Sequence, residues 1–137
     1  MKISTRGRYG LKAVIDIASS ESGGADRVSL KSIAERQGLS ESYLEQIISQ
    51  LKKAGIVKSV RGAGGGYALC RLPAEITAGD VLRVLERSLA PADCLTSKDI
   101  TCGNNDCRLC STKPMFDKLF ESVNEVVDSV TINELII

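Results

Sequence analysis

Residues 29–51, SLKSIAERQGLSESYLEQIISQL, decide the fold. Ser29 is suited to cap a short helix, and Gly38 is suited to the left-handed backbone that ends it. Ser40 then begins a second helix as its N-cap residue. Apolar residues recur at helical spacing in both segments: Leu30, Ile33 and Ala34 in the first, and Leu44, Ile47, Ile48 and Leu51 in the second. Two short helices joined by a tight turn predict a helix-turn-helix.

The flanking segments extend this unit. Helical spacing before it predicts an amphipathic helix over about residues 5–19, with Leu11, Val14, Ile15 and Ala18 as its apolar side. After it, residues 56–60 alternate and are β-branched, residues 67–69 form a second short strand, and residues 61–66 form a glycine-rich tip. A dinucleotide fingerprint is excluded, because it requires glycine where Tyr67 stands and a helix after the loop. The order of elements predicts a winged helix-turn-helix.

The predicted third helix and the wing are suited to bind DNA. The helix can enter a major groove by its N-terminal end, where its outward residues are candidates to contact base edges: Ser40, Ser42, Tyr43, Glu45 and Gln46. Arg61 of the wing is long enough to reach a minor groove. Basic side chains of the same half would neutralise phosphates without reading sequence: Lys2, Arg6, Arg8, Lys52, Lys53 and Lys58.

Charge is segregated along the chain of 137 residues, a length that fits one domain. Residues 1–73 carry twelve Lys and Arg against six Asp and Glu, whereas residues 74–137 carry six against eleven. The basic half predicts a polyanion-binding face. With no His, no paired carboxylates and no nucleotide motif, we expect no enzyme activity. No segment resembles a secretion signal or a membrane span, so we expect a cytoplasmic protein with no membrane partner.

The acidic half contains a cysteine cluster. Four of the five cysteines lie within 17 residues, in the pattern Cys94-x7-Cys102-x4-Cys107-x2-Cys110. Thiolates select zinc, copper(I) or an iron-sulfur cluster, and the spacing by itself leaves zinc and a cluster equally open. A redox disulfide pair is a further alternative. Cys70 stands apart after the second wing strand, and we expect it to be a buried small hydrophobe.

Two helices flank the cysteine segment. Thr77 and Asp80 form a capping box that opens a helix through about Ser88. A longer helix begins at Thr112, with Pro114 in its first turn. Its apolar stripe comprises Phe116, Leu119, Val123, Val126 and Val130, widened by Phe120 and Val127. A stripe this wide on a terminal helix needs a partner, and we expect an antiparallel copy of itself in a homodimer.

Several stretches resemble the IscR-like regulators, within the Rrf-type family of bacterial winged-helix repressors. They are Gly7-Arg8-Tyr9, SIAERQG at residues 32–38, SYLEQ at 42–46 and VRGAGGGY at 60–67. The resemblance covers nearly the whole chain and implies a homodimeric transcription factor that binds a double-stranded DNA operator. Carried over by position, it implies DNA contacts from Ser40, Ser42, Tyr43 and Glu45 in the recognition helix and from Arg61 and Gly62 in the wing.

The resemblance also favours a cluster at the cysteines. IscR-like proteins hold an iron-sulfur cluster with three cysteines and a histidine, and Cys110 stands where the histidine is expected. We therefore predict a 2Fe-2S cluster on Cys94, Cys102, Cys107 and Cys110, with 4Fe-4S and zinc as alternatives. An all-thiolate shell donates more electron density than one with imidazole, so its reduction potential should be lower.

The predicted architecture is mainly α with a small β-hairpin wing and a long C-terminal dimerisation helix. Its regions are a DNA-binding domain at residues 1–73, a connecting helix at 74–92, a cluster-binding loop at 93–111 and the dimerisation helix at 112–137. The predicted function is a transcription regulator, a repressor by its family resemblance, that senses iron-sulfur status and controls cluster assembly genes. The alternative is a repressor of the same fold with structural zinc or unliganded cysteines, responding to a partner protein or a metabolite, as in cysteine metabolism.

Overall fold

The computed structural model describes residues 2–96 and 109–137, together with the backbone of residues 101–102 and 105–106. Its helices are α1 (Thr5–Ser22), α2 (Leu30–Gln37), α3 (Glu41–Lys53), α4 (Ala78–Leu85) and α5 (Lys113–Ser129). Its strands are β1 (Val57–Val60), β2 (Gly66–Leu69), β3 (Thr101–Cys102) and β4 (Asn105–Asp106). Short 3-10 turns lie at Pro73–Glu75, Asp93–Leu95 and Asn133–Leu135. This order confirms the predicted mainly helical winged architecture.

The helix-turn-helix has the predicted caps. The Ser29 hydroxyl accepts the N–H of Ser32 at 3.1 Å, and the Ser40 hydroxyl accepts the N–H of Tyr43 at 3.1 Å. Gly38 has a φ of +66°, a left-handed conformation that costs glycine little because it has no Cβ. Ser29 thus starts α2, Gly38 ends it and Ser40 starts α3, so that only a short turn separates the two helices.

The hydrophobic core is centred on α3. Its predicted stripe is buried throughout: Leu44, Ile47, Ile48 and Leu51. Helices α1, α3 and α4 meet closely at Gly10 of α1, where an added Cβ would collide with Leu85 of α4 and lie 3.3 Å from Cγ2 of Ile47 in α3. The prediction that α4 extends to Ser88 was wrong. The helix ends at Leu85, and Glu86 adopts extended backbone while its carboxylate turns toward the start of α1.

The wing is an antiparallel hairpin in which Val57 pairs with Leu69 and Val60 pairs with Gly66. Both Ala68 and Leu69 are buried against the helices. The expectation that Cys70 is buried was wrong, since its side chain is exposed. Cys70 lies just after the end of β2, at a bend that leaves the sheet.

Helix α5 packs on α4, and the chain then returns to the core. Arg83 forms a two-pronged ion pair with Asp128, including Nη2 to Oδ2 at 3.0 Å, and this contact lowers the pKa of Asp128. After α5, Val130 is extended rather than helical, and its carbonyl accepts the N–H of Ala78 at 2.8 Å. Ile132 is fully buried in the same core as α3. No helix in the part of the chain described is long and apolar enough to cross a membrane.

Candidate nucleic-acid interface and metal centre

An open groove lies on the outer side of α3, facing the N-terminal end of α1. It encloses about 490 Å³ and is lined by Arg6, Ser42, Glu45, Gln46, Ser49, Gln50 and Lys53. Arg6 donates from Nη1 to Oε1 of Gln50 at 3.4 Å, which holds the guanidinium along the helix. The groove therefore brings together five of the residues predicted to contact DNA: Arg6, Ser42, Glu45, Gln46 and Lys53.

The other predicted contacts near α3 lie apart from this groove. Ser40 is exposed, and its hydroxyl can still donate a hydrogen bond while it accepts the cap bond from Tyr43. Tyr43 is half-buried, and its ring packs edge-to-face on Tyr9 with centroids 6.4 Å apart. Tyr43 therefore joins α3 to α1, which its spacing did not reveal. Arg8 is exposed on α1 but does not line the groove.

The wing presents Arg61 and Gly62 at the start of its tip, both exposed. A turn closes the tip, with the N–H of Gly65 donating to the carbonyl of Gly62 at 3.0 Å. Gly64 has a φ of +81°, a value that explains why this loop needs glycine. Among the described residues, Arg61 has no hydrogen-bond or ion-pair partner, so its guanidinium is available to a nucleic acid.

Arg27 and Val28, just before α2, form hydrogen bonds with the wing, and neither was predicted from the sequence. Arg27 donates from Nη2 to the carbonyl of Ala63 at 3.2 Å. Val28 pairs with Tyr67 through hydrogen bonds of 2.9 and 2.8 Å, as a third extended segment beside β2. An isolated bridging residue has no periodicity, so only the β-branched Val28 immediately before the Ser29 cap hinted at this pairing.

Glu86 joins the end of α4 to the start of α1. Its Oε1 accepts the N–H of Ser4 at 2.8 Å and the Ser4 hydroxyl at 2.7 Å. Ser4 is the N-cap of α1, and a negative charge at a helix N-terminus is favourable. Since α1 also carries Arg6, this contact joins the end of α4 to the helix that lines the groove.

The structure describes part of the predicted cysteine site. Cys94 is half-buried in the 3-10 turn Asp93–Leu95, and Cys110 is half-buried shortly before α5. The backbone of Cys102 lies in β3, paired with Asn105 of β4. The side chain of Cys102 and the whole of Cys107 lie outside the described residues. Among the side chains that are described, no three His, Cys, Asp or Glu converge to hold a metal.

The Cys110 thiol lies among hydrogen-bonding groups at the start of α5. Its Sγ lies 3.1 Å from Oγ1 of Thr112. The hydrogen bond with the Thr112 side chain, followed by bonds with the backbone of Thr112 and Lys113 at the start of α5, lowers the pKa of Cys110. The thiolate is the form of cysteine that binds metals, so this position suits a metal ligand.

The recognition helix, the wing and the polar groove define a winged-helix protein with a surface for DNA. The chain belongs to the Rrf2 family, described as iron-dependent transcriptional regulators, whose model matches residues 3–137. This membership confirms the resemblance seen in the sequence, and it makes the protein a DNA-binding transcriptional regulator and not an enzyme.

Individual relatives cover nearly all of the chain. The transcriptional regulator CymR of Bacillus subtilis is 44% identical over 98% of this chain and 89% of its own length. Its solved structure, that of the global cysteine regulator, matches with a TM-score of 0.80 at 41% identity, covering 98% of this chain and 95% of that chain. The structure of IscR from T. potens has a TM-score of 0.75 at 48% identity, and the match covers 98% of this chain and 85% of that chain. IscR of Aliivibrio salmonicida is 37% identical over 100% of this chain and 78% of its own length.

Proposed function

We propose that the protein is a homodimeric repressor that senses iron-sulfur status and controls genes of cluster assembly, acting on DNA in the cytoplasm. The observation that carries this proposal is the quartet Cys94, Cys102, Cys107 and Cys110, which lies outside the DNA-binding half. The similarity to IscR supports the same assignment. Purification without oxygen, with an absorption spectrum and iron, sulfide and zinc analysis, tests it: visible charge-transfer bands with iron and sulfide are expected, whereas a colourless zinc protein after attempted reconstitution would contradict it.

The donor set fits an iron-sulfur cluster, because four thiols are available and the pKa of Cys110 is already lowered. We assign the ligands to the four cysteines, with 2Fe-2S favoured over 4Fe-4S. When bound, the cluster would supply a centre that responds to redox state and to cluster supply. The protein's own contribution is to present Cys94 and Cys110 near the two ends of the loop at residues 93–111, from the turn Asp93–Leu95 and from just before α5.

The contact between Glu86 and Ser4 provides a path from this loop to DNA. If cluster binding changed the conformation of residues 93–111, the change would reach the segment between Glu86 and Cys94. Through the contact of Glu86 with Ser4, it would then reach the start of α1. Arg6 lies within the first turn of α1 and lines the groove beside Ser42, Glu45 and Gln46. Loss of the cluster is therefore expected to change operator affinity or operator choice.

We assign the predicted DNA contacts to three roles within this function. Base recognition falls to Ser40, Ser42, Tyr43, Glu45 and Gln46, the wing contact to Arg61 and Gly62, and binding of the DNA phosphate backbone to Arg6 and Arg8.

Arg61→Ala is expected to weaken specific operator binding by roughly 1–3 kcal/mol, because the exposed guanidinium has no competing partner among the described residues. Titration of operator DNA with each protein at one salt concentration measures the change in affinity. Arg87→Ala, which removes the same charge from an exposed position outside the groove and the wing, is the control. Equal affinities for wild type and Arg61→Ala would remove Arg61 from the interface.

The homodimer is proposed to form through α5. Met115 is 55% exposed and Val126 is 61% exposed, although both are large apolar residues. Beside Val126, a groove of about 420 Å³ separates α5 from the end of α4 and the residues before α1, with Ile3, Leu82, Leu89, Val123 and Val127 among its lining. A second copy of α5 would cover this surface.

Val126→Asp is expected to weaken the dimer by roughly 2 kcal/mol or more, because it would bury an unpaired carboxylate in the contact. Sedimentation velocity over a range of protein concentrations measures the monomer–dimer equilibrium. Glu125→Ala, on the polar face of the same helix, should leave that equilibrium unchanged. A Val126→Asp protein that dimerised as tightly as wild type would place the interface elsewhere.

A second candidate function is regulation of cysteine metabolism, which the similarity to CymR favours. In this case the cysteine loop would hold zinc or no metal, and the signal would come from a partner protein or a metabolite. The metal analysis separates the two candidates, because only the first requires iron and sulfide in the purified protein.

A further inference from the structure

Arg27 lies between α1 and α2, yet its side chain crosses the base of the wing tip. Its stem lies against Gly66, where an added Cβ would be 3.2 Å from both Cβ and Cγ of Arg27. Its guanidinium covers Gly62, where an added Cβ would be 2.5 Å from Nη1. Nη2 donates to the carbonyl of Ala63 at 3.2 Å. Two glycines of the wing thus make room for one arginine.

The tip depends on outside support. A Cβ added at Gly64 or Gly65 would meet nothing within 4 Å, so open space lies on that side of both residues. The paired residues Val28 and Tyr67 hold β2 beside the segment that carries Arg27. Arg27 extends this support from the strand to the turn, through the only hydrogen bond that the described residues outside the hairpin donate to the tip.

We infer that Arg27 is a positioning residue for the wing, holding the backbone of Gly62 and Ala63 so that Arg61 meets DNA in one orientation. The inference rests on the proposed DNA contact of Arg61. The planar guanidinium suits this role, because it can lie flat over a glycine while it donates to a carbonyl, which a lysine ammonium cannot do. Because Arg27 orders the wing tip before DNA binds, less conformational entropy is lost on binding.

A double-mutant cycle tests whether Arg27 acts through Arg61. On a genomic fragment that the wild-type protein binds, Arg27→Ala should weaken affinity about fivefold or more, because the backbone of the wing tip would then have to be ordered on binding. In the Arg61→Ala background the same change should cost less than about twofold, because the side chain being positioned is absent. Arg87→Ala is the charge-matched control. Equal losses in both backgrounds, or no loss in either, would overturn the inference.

The salt dependence separates positioning from direct contact. If Arg27 bound a phosphate itself, Arg27→Ala would reduce the slope of log affinity against log salt by about one. The inference predicts an unchanged slope. It also predicts that Arg27→Lys, which keeps the charge, fails to restore affinity.

A measurement without DNA distinguishes failure of this inference from failure of the proposed contact. Backbone ¹⁵N relaxation of Gly64 and Gly65 in the free protein should show lower order in Arg27→Ala and Arg27→Lys than in wild type or Arg87→Ala. Unchanged order would overturn the role of Arg27, whatever Arg61 does. Lower order together with full affinity of Arg61→Ala would instead overturn the wing contact on which the inference rests.

Discussion

Cys110→Ser is expected to abolish stable binding of the iron-sulfur cluster. The variant removes one of the four proposed thiol ligands, at the position where hydrogen bonds from Thr112 and the start of α5 lower the pKa of the thiol. A serine hydroxyl ionises far less readily than a thiol and is a poor ligand for a soft metal centre. After reconstitution without oxygen, the variant should lose most of its visible absorption and of its bound iron and sulfide.

The control is Cys70→Ser, since Cys70 is an exposed cysteine outside the quartet. It should retain iron, sulfide and visible absorption at the wild-type level.

Cys110→His is informative as well, because it introduces the residue expected at this position in IscR-like proteins. This variant should retain a cluster and show a higher reduction potential than wild type. Full cluster content in Cys110→Ser would exclude Cys110 as a ligand.

Ile47→Ala is expected to lower the free energy of unfolding by about 2–5 kcal/mol. Ile47 is fully buried on the inner face of α3, and its Cγ2 lies 3.3 Å from the position that a Cβ on Gly10 would occupy. Helices α1, α3 and α4 meet at this point, so the cavity left by the truncation cannot readily close. Urea denaturation at a fixed protein concentration measures the change, because the stability of a dimer depends on concentration.

The matched control is Gln46→Ala, the preceding residue on the outer face of α3. Gln46 is exposed and lines the groove, so its truncation should change stability by less than about 0.5 kcal/mol while weakening operator binding. The two variants therefore separate the inner, structural face of the recognition helix from its outer, DNA-facing side. An Ile47→Ala protein as stable as wild type would contradict the packing of α3 described above.

Local sequence patterns predicted the helix-turn-helix well. Ser29, Gly38 and Ser40 act through hydrogen bonds and backbone preferences within a few residues, so their roles can be derived from the sequence alone. The buried stripe of α3 was predictable for the same reason, because helical spacing fixes which side chains share a face.

The features that the sequence did not reveal depend on contacts between distant segments. Glu86 leaves the helical conformation while its carboxylate binds Ser4, 82 positions away, and this contact has no local signature. Arg27 and Val28 reach the wing from a segment without periodicity. The burial of Cys70 was predicted from residue type alone, whereas the residue is exposed at the bend that follows β2. In the candidate site, likewise, the helical spacing of α3 identified its outer face. It did not show that Arg6 of α1 lies beside that face and lines the same groove.

Control of DNA binding by the proposed cluster can be tested on genomic DNA. Genomic fragments are captured with cluster-bound protein and with cluster-free protein, and the affinity of both forms for the captured fragments is measured at one salt concentration. The two forms are expected to differ in the fragments they select or in their affinity for them. Identical fragments bound with equal affinity would contradict this expectation and leave a winged-helix regulator whose cysteines do not control DNA binding.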